Sequence, residues 1–501
     1  MPAPTEARLI ERLAAPACYP HAVAGVRVIE THISWVLLTG EFAYKIKKPL
    51  DLGFLDFSTL DKRLAACREE VRLNRRLAPD IYLDVVPVTG SADAPRVGGD
   101  GPAFEYAVKM REFPADATLD RGEVTAAQIE AIARTVARFH EHACARADAG
   151  SGWGSPDAVW QPVAQNFAQI APRLADADAR AQLDALQQWS ASEHVRLAPL
   201  IAARQREGFV RECHGDLHLG NLAWADGRLV VFDCLEFNPS LRWIDVQSEV
   251  AFLYMDLLQR GRDALAWLFV NLWLEHSGDY AGVALLRYYA VYRALVRAKV
   301  AAIRATQASG TEAESARADV SALLALATRL TRPPPVALTI THGLSGSGKT
   351  TVTRTRMQSP GAIRLRSDVE RKRLAGLDAL AKSGSGVGTQ LYGGDATRRT
   401  YQRLADLAGA LLDAGWPVIV DATFIARWQR DLLRDVARSR GVPFRILDFP
   451  LPVETLRARI VARAHAGTDA SEADLAVLDH QLRTEEPLAA DEQADTVVMT
   501  A

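Results

Sequence analysis

Two groups of residues in this 501-residue chain have types and spacings suited to handling phosphate. The first is Gly343-Leu344-Ser345-Gly346-Ser347-Gly348-Lys349-Thr350, which fits G-x-x-x-x-G-K-[ST] between the β-rich run VALTITHG and a helical stretch. Glycines let successive backbone N–H groups converge on phosphate oxygens, and the helix N-terminus that follows adds positive potential. Lys349 would reach the β and γ phosphates of a nucleoside triphosphate, and the Thr350 hydroxyl would ligate Mg²⁺. Downstream, Asp368 in Arg366-Ser367-Asp368-Val369-Glu370-Arg371 ends a second predicted strand, facing the γ-phosphate, where a carboxylate can accept a proton from an attacking hydroxyl. Arg371 suits substrate or phosphate. Asp421 closes the apolar strand Pro417-Val418-Ile419-Val420, in position to hold Mg²⁺ or its waters. Arg457, Arg459 and Arg463 fall on one predicted helix, with 459 and 463 four apart and so on one face, as in a lid. The competing readings are that Asp368 caps a helix starting near Val369 and that the arginines form a solvated face.

The second group is His214-Gly215-Asp216-Leu217-His218-Leu219-Gly220-Asn221, followed by the apolar run Leu229 to Phe232 and then Asp233. Asp216 and Asn221 stand five residues apart and Asp233 emerges from a following strand, which is the order of base and metal ligands in the H-R-D-x-x-x-x-N loop and its metal-binding Asp. Asp216 would accept the hydroxyl proton, while Asn221 and Asp233 would hold a metal bridging the phosphates. Glu236 either assists at the metal or makes a structural hydrogen bond. His214 and His218 read as braces of the loop, since Mg²⁺ prefers oxygen. His140 is expected to pack against this loop without chemistry of its own. Cys213 and Cys234 flank it, and nothing marks either as a nucleophile.

Carried by these residues, the stretch from roughly 25 to 300 resembles the aminoglycoside phosphotransferase/choline kinase-like branch of the protein kinase fold. Residues 336–501 resemble the small P-loop kinase group that includes gluconate kinase-like, polynucleotide kinase-like and zeta toxin-like proteins, through GLSGSGKT, SDVER, VIVDATF and RARIVAR. The first resemblance implies a lysine for the α and β phosphates and a glutamate to hold it. Lys45 in FAYKIKK and Glu70 on a helix over 58–78 fill these roles; Lys47 shares the strand face of Lys45 and Glu69 adjoins Glu70, so both alternatives stay open, as does a merely basic surface strand. It also implies an adenine-binding hinge in FEYAVKMREF, residues 104–113, through the backbone near Met110 to Glu112. The N-lobe lacks G-x-G-x-x-G, which leaves the turn Thr39-Gly40-Glu41 as candidate phosphate loop, and Cys-Leu-Glu follows Asp233 in place of Phe-Gly. The second resemblance implies γ-phosphoryl transfer to a hydroxyl, with Asp368 as base or substrate ligand and the arginines closing over the nucleotide. Both imply ATP and Mg²⁺ as cofactors.

Holding these groups in place takes two kinds of scaffold. Before the seam Thr331-Arg332-Pro333-Pro334-Pro335, the β-like runs VRVIETH, SWVLLTG, EFAYKIK and FEYAVKM surround the 58–78 helix, with Ser58 or Thr59 as N-cap and Leu60, Leu64, Cys67 and Val71 on one face. Helical periodicity dominates afterwards, including Ile129, Ile132, Val136, Phe139 and Ala143. This predicts an α+β two-lobed protein kinase-like domain over 1–330, with an N-lobe of about 1–113 and a C-lobe of about 114–330. After the linker 331–335, strands at 336–341, near 362–365, 417–421, 443–449 and 495–499 alternate with helices including 397–413, 428–440, 453–465 and 472–483. That order predicts an α/β P-loop domain over 336–501 with a parallel five-stranded sheet. Lys382 to Gly388, KSGSGVG, reads as a mobile loop and not a second phosphate site, because no Gly-Lys-Ser/Thr follows.

Composition narrows the function classes. With 49% hydrophobic and 24% charged residues the chain is ordinary globular material, and a net charge of −2 provides no whole-molecule field for nucleic acid or membrane. Five scattered cysteines without C-x-x-C argue against a disulfide framework or zinc site and fit a reducing cytoplasm. The opening MPAPTEARLIERL reads as a helix and not as a secretory signal, and no apolar run is long and uncharged enough to span a bilayer. The expectation is a bifunctional ATP-dependent phosphotransferase acting on hydroxyls of small molecules such as sugars, amino sugars or aminoglycoside-like compounds, without extended nucleic-acid binding. The alternatives are an N-terminal kinase governed by a C-terminal ATP-binding switch, and a C-terminal domain acting on a nucleic-acid end or a protein. Neither the acceptors nor an oligomeric state is written in these motifs.

Overall fold

A computed structural model describes residues 4–51, 53, 55–148, 150–378, 393–466 and 473–499, with the backbone alone for 4–6, 359–360 and 463–466. The KSGSGVG run lies outside the described residues.

In chain order, helix α1 (Pro4–Leu13) precedes strands β1 (Arg27–Glu30), β2 (Ser34–Leu38) and β3 (Phe42–Lys47), helix α2 (Leu60–Asn74), and strands β4 (Tyr82–Ser91), β5 (Ala94–Val97) and β6 (Ala103–Arg111). Next come α3 (Ala126–Arg138), a π turn over Phe139–Ala143, α4 (Pro156–Ile170) and α5 (Ala177–Arg206). Short strands β7 (Val210–Glu212), β8 (Leu222–Ala225), β9 (Arg228–Val231) and β10 (Trp243–Asp245) lead into α6 (Val246–Gln259), α7 (Asp263–Ser277), α8 (Leu286–Gln307) and α9 (Gly310–Thr331). The remainder alternates: β11 (Leu338–His342), α10 (Lys349–Arg356), β12 (Ile363–Arg366), α11 (Ser367–Leu374), α12 (Gly394–Asp413), β13 (Val418–Asp421), α13 (Arg427–Ser439), β14 (Phe444–Asp448), α14 (Val453–Ala466), α15 (Leu475–Thr484) and β15 (Thr496–Val498). Among the described residues no helix is long and apolar enough to cross a membrane.

The chain divides into two compact units, one of Met1–Thr125, Phe139–Val159 and Pro199–Glu249, the other of Ala126–Arg138, Trp160–Ala198 and Val250–Ala501. The chain on either side of the proline run belongs to the second unit. In the first, β1-β2-β3-β6-β4-β5 form one sheet, antiparallel at every pairing. Thr59 caps α2, its hydroxyl accepting from Lys62 N at 3.3 Å, which decides between the two expected caps. Cys67 and Val71 of α2 pack with Tyr82 and Val108 of the sheet, and this face carries Glu70 inward with them. Leu9, Ile10 and Leu13 of α1 bury against Trp35, Leu37 and Val88. The loop from β7 to β8 carries Asp216 and Asn221, and the β8–β9 hairpin, with Leu222 opposite Val231, sets Asp233 two residues past its end. The expected helical burial of Ala143 is corrected: the π turn adds a residue to the turn, leaving Ala143 exposed and Cys144 buried.

In the second unit α3 buries Ile129, Ile132, Ala133 and Val136 and packs on α7. The C-terminal sheet runs β12-β13-β11-β14-β15, parallel throughout, as the strand-helix alternation predicts. β12 lies at its edge. Within this unit the apolar strands β11 and β13 are almost wholly buried, and the polar loops gather at their carboxyl ends.

Candidate active sites

In the first unit, alternation along β3 places Lys45 and Lys47 on one face, where α2 presents Glu70. Lys45 Nζ donates to Glu70 Oε1 at 2.8 Å and to Asp233 Oδ1 at 2.6 Å; Lys47 Nζ donates to Glu70 Oε2 at 2.7 Å and also to Glu236. One glutamate therefore takes both lysines, one per oxygen, and only Lys45 also meets Asp233. Glu69 turns instead to Arg72 at 2.7 Å and Arg242 at 2.6 Å. Both lysines are buried, so the run is no surface strand. Burial works against the charge of Lys45, but Asp233, Glu70 and Glu236 keep its pKa well above the usual lysine value. Burial likewise opposes the charge of Glu70, and the two lysines hold its carboxyl below the usual range. For Glu236 burial wins over Lys47, and its carboxyl is pushed up.

Around the loop of Asp216, Asn221 Nδ2 donates to Asp216 O at 2.9 Å and to its Oδ2 at 3.1 Å, so the amide oxygen is the donor Asn221 has for a metal. His218 Nε2 stands 3.4 Å from Asp216 Oδ2. His214 Nε2 donates to Phe232 O at 2.9 Å and its Nδ1 accepts from Asp216 N at 3.3 Å, an arrangement that requires a neutral ring. Burial pulls its pKa down accordingly. Gly215, at φ +88°, donates its N–H to Glu249 Oε2 at 2.7 Å, while His140 Nε2 donates to Glu249 Oε1 at 3.0 Å. His140, Cys213 and Glu249 bring ligand-type atoms within 4.8 Å of one another, but both Glu249 oxygens are already engaged, so the group braces the loop. Asp233 has a left-handed φ of +63°, held by its N–H on the Tyr82 hydroxyl at 3.0 Å and by Cys234 N–H on Asn74 Oδ1 at 2.9 Å. Burial pushes the Cys213 and Cys234 thiols up, which keeps them protonated and poor nucleophiles. Met110 sits inside the β6 ladder between Ala43 and Tyr82. The turn at Gly40 is tied to the residue after β6: Gly40 N donates to Glu112 Oε2 at 2.8 Å and Glu112 N to Glu41 O at 3.0 Å.

The second unit holds the glycine-rich loop between β11 and α10. Gly343, Gly346 and Gly348 have φ of +141°, +86° and +87°, and a Cβ on Gly346 would stand 3.0 Å from Leu456 O. Lys349 Nζ donates to Gly343 O at 2.8 Å, Leu344 O at 2.7 Å and Ser347 Oγ at 3.1 Å. Ser345 N donates to Gln481 Oε1 of α15 at 2.9 Å. A cavity of about 630 Å³ brings this loop together with Asp368, Arg371, Asp421 and Arg459. Asp421, 5% exposed, accepts from Thr353 Oγ1 at 3.1 Å, one helical turn beyond Thr350. β12 ends at Arg366, so Asp368 is the second residue of α11 and not the last of the strand as expected; it pairs with Arg371 at 3.0 Å and lines the cavity. Of the three expected lid arginines, Arg459 reaches the loop, since a Cβ on Gly348 would stand 3.3 Å from its guanidinium. Arg457 pairs with Asp479 at the surface, and the side chain of Arg463 lies outside the described residues.

These residues fit ATP and Mg²⁺. At the loop, the glycines leave a cradle that any Cβ would crowd, and Thr350 and Asp421 offer hard oxygen donors; in the first unit Asn221 and Asp233 offer the same. Reading the sequence missed Glu249, Tyr82, Asn74, Thr353 and Gln481. Only Thr353 had a local signal, standing three residues after Thr350 on the helix that the loop opens.

Residues 54–295 match the phosphotransferase enzyme family, and residues 338–488 match an AAA domain. An uncharacterized protein of Mycobacterium tuberculosis is 31% identical over 468 residues, 91% of this chain and 90% of its own length. A sugar kinase from a Janibacter species is 24% identical over 33% of this chain and 85% of its own, with a TM-score of 0.26. A choline kinase from Cryptosporidium parvum is 10% identical over 61% of this chain and 89% of its own, with a TM-score of 0.39. The chain thus belongs to the same family as the mycobacterial protein, and it is a kinase whose phosphotransferase-family segment precedes a P-loop segment.

Proposed function

We propose that this kinase carries two separate ATP·Mg²⁺-dependent sites, each transferring the γ-phosphoryl group to a hydroxyl of a small molecule. The observation that supports this is a pair of similar sets of polar groups. In the first unit Lys45 joins Glu70 and Asp233, and Asn221 joins Asp216; in the second, one cavity gathers Lys349, Thr350, Asp421, Arg459 and Asp368. Each set has a phosphate-binding lysine, oxygen donors for a divalent cation and a carboxylate to take the acceptor proton. Bound Mg²⁺ would neutralise charge developing on the phosphates. In the first set Asp216 receives the hydroxyl proton, with Asn221 fixing its orientation. In the second, Asp368 does so beside Arg371. The proposed acceptors are small molecules with several hydroxyls, such as sugars or amino sugars, and transfer at both sites rests on each set having its own carboxylate base.

Purified full-length protein with Mg²⁺-ATP and a panel of sugars, amino sugars, aminoglycosides and nucleosides tests this reading. Asp216→Ala should remove one phosphorylated product and Lys349→Ala another. If Lys349→Ala only changed turnover at Asp216, the second site would be a switch; if neither variant removed a product, both assignments would be wrong.

A further inference from the structure

Helix α7 lies inside the segment that matches the phosphotransferase enzyme family, yet it lays polar side chains along β12, the edge strand of the P-loop sheet. Asn271 acts as a missing strand: its Nδ2 donates to Ala362 O at 2.9 Å and its Oδ1 accepts from Arg364 N at 2.7 Å. One turn later Glu275, 5% exposed, accepts from Arg364 through Nη2 at 2.6 Å and Nε at 3.2 Å, and from Arg366 at 3.4 Å. Arg364, 2% exposed, continues inward with Nη1, donating to Thr350 O at 3.3 Å and to Thr353 Oγ1 at 3.5 Å. Thr353 in turn donates to Asp421. Arg366 lines the cavity beside Asp368. Burial opposes the charge of Glu275, while Arg364 and Arg366 keep its carboxyl below the usual range.

We propose that Glu275 is a positioning residue for the P-loop site. Through Arg364 it sets the Thr350–Thr353–Asp421 group, and through Arg366 it sets the wall next to Asp368. This rests on reading that site as one for ATP and Mg²⁺. A guanidinium is planar with donors on three nitrogens, so anchoring Nε and Nη2 on Glu275 fixes where Nη1 points; a lysine has no such fork. A contact that served packing alone would not need its third nitrogen on the backbone of the proposed metal ligand. The P-loop site is therefore completed by a helix outside the AAA match.

The test is ADP titration of the full chain by calorimetry, with Mg²⁺ and with EDTA, taking the component that Lys349→Ala removes. In Glu275→Gln and in Arg364→Lys, the Mg²⁺-dependent gain in affinity of that component should fall by about tenfold or more, as outer-shell changes do, with affinity in EDTA preserved. Arg364→Lys keeps a buried cation beside Glu275 and remains informative if the glutamine variant does not fold. An unchanged Mg²⁺ gain in a folded variant, or equal losses with and without Mg²⁺, overturns the proposal. Absence of any Lys349-dependent binding in the wild type overturns the P-loop reading itself and this proposal with it.

Discussion

Lys47→Met is the sharpest perturbation of the first unit. The side chain is wholly buried, its ammonium lies between Glu70 Oε2 at 2.7 Å and Glu236, and it sits 4.9 Å from the Phe57 ring centre. Methionine fills similar space without charge. The substitution leaves Glu236 buried without its cation, and Glu70 with Lys45 alone, so two carboxylates face each other. Removing one partner of a buried pair costs about 3–5 kcal/mol. The sign of the pH dependence follows from Glu236. Its folded pKa is already above the unfolded value, and losing Lys47 raises it further. A group of that kind adds stability at pH below its unfolded value and loses it as pH rises through its folded value. The deficit of the variant relative to wild type should therefore be greatest near pH 8 and shrink toward pH 5. Urea denaturation of the full chain at these pH values, followed by far-UV circular dichroism, measures it. Adding Glu236→Gln should recover at least half the loss at pH 8, because the amide carries no charge. A variant within about 1 kcal/mol of wild type at pH 8, a deficit growing toward pH 5, or no relief from Glu236→Gln would refute the reasoning.

Three further outcomes are expected. Burial opposes the charge of Glu249, but His140 and the Gly215 N–H hold its carboxyl down to about 2, so its stabilisation is present above the unfolded carboxyl range and is lost as pH falls toward 2. That difference corresponds to roughly 3 kcal/mol, and Glu249→Gln should flatten the acid limb of unfolding between pH 5 and 2; an unaltered limb would count against the brace. Gly346→Ala forces a Cβ to 3.0 Å from Leu456 O at a left-handed φ, and should cut Lys349-dependent ADP binding by about tenfold or more, with wild-type affinity arguing against the cradle. Asp233→Asn keeps an oxygen but removes the negative charge proposed to hold the metal, which is also the anion 2.6 Å from Lys45, so it should abolish the Asp216-dependent product while sparing or improving ADP binding in EDTA; retained product would argue against Asp233 in the proposed metal site.

Where local pattern carried the information, the fold was legible. The runs at β1, β2, β3 and β6 alternate or carry β-branched residues, and every strand of the parallel sheet follows a helix. β4 and β5 escaped because YLDVVPVTGS contains Asp84 and Pro87 and has register shifts at Tyr82/Asp84 and Val88/Thr89, which scramble its alternation. Lys45 and Lys47 could not be separated by strand periodicity, since both share a face. The rotational setting of α2 decides, and it gives Glu70 to both. Asp216 with Asn221, and Lys349 with Thr350, were singled out by short spacings within one loop, and the structure sets Asn221 against Asp216 and Lys45 against Asp233.

The groups that hold those residues in place obey no such spacing. Glu249 stands 34 residues from Gly215, Asn74 stands 160 from Cys234, and Glu275 stands 89 from Arg364. Their trace in the sequence is of another kind. Helix α7, DALAWLFVNLWLEHS, is apolar over most of its surface, yet it contains Asn271 and Glu275 four residues apart and therefore on one face. A helix this apolar is buried, and a buried amide and carboxylate on one face need polar partners that the helix itself cannot supply. Arg364 and Arg366 pose the complementary problem, two cations on the strand that precedes Asp368, alternate and so on one face. Neither segment contains the solution alone. The burial energetics of both require a match, and that requirement links the helix of the phosphotransferase segment to the edge strand of the P-loop sheet.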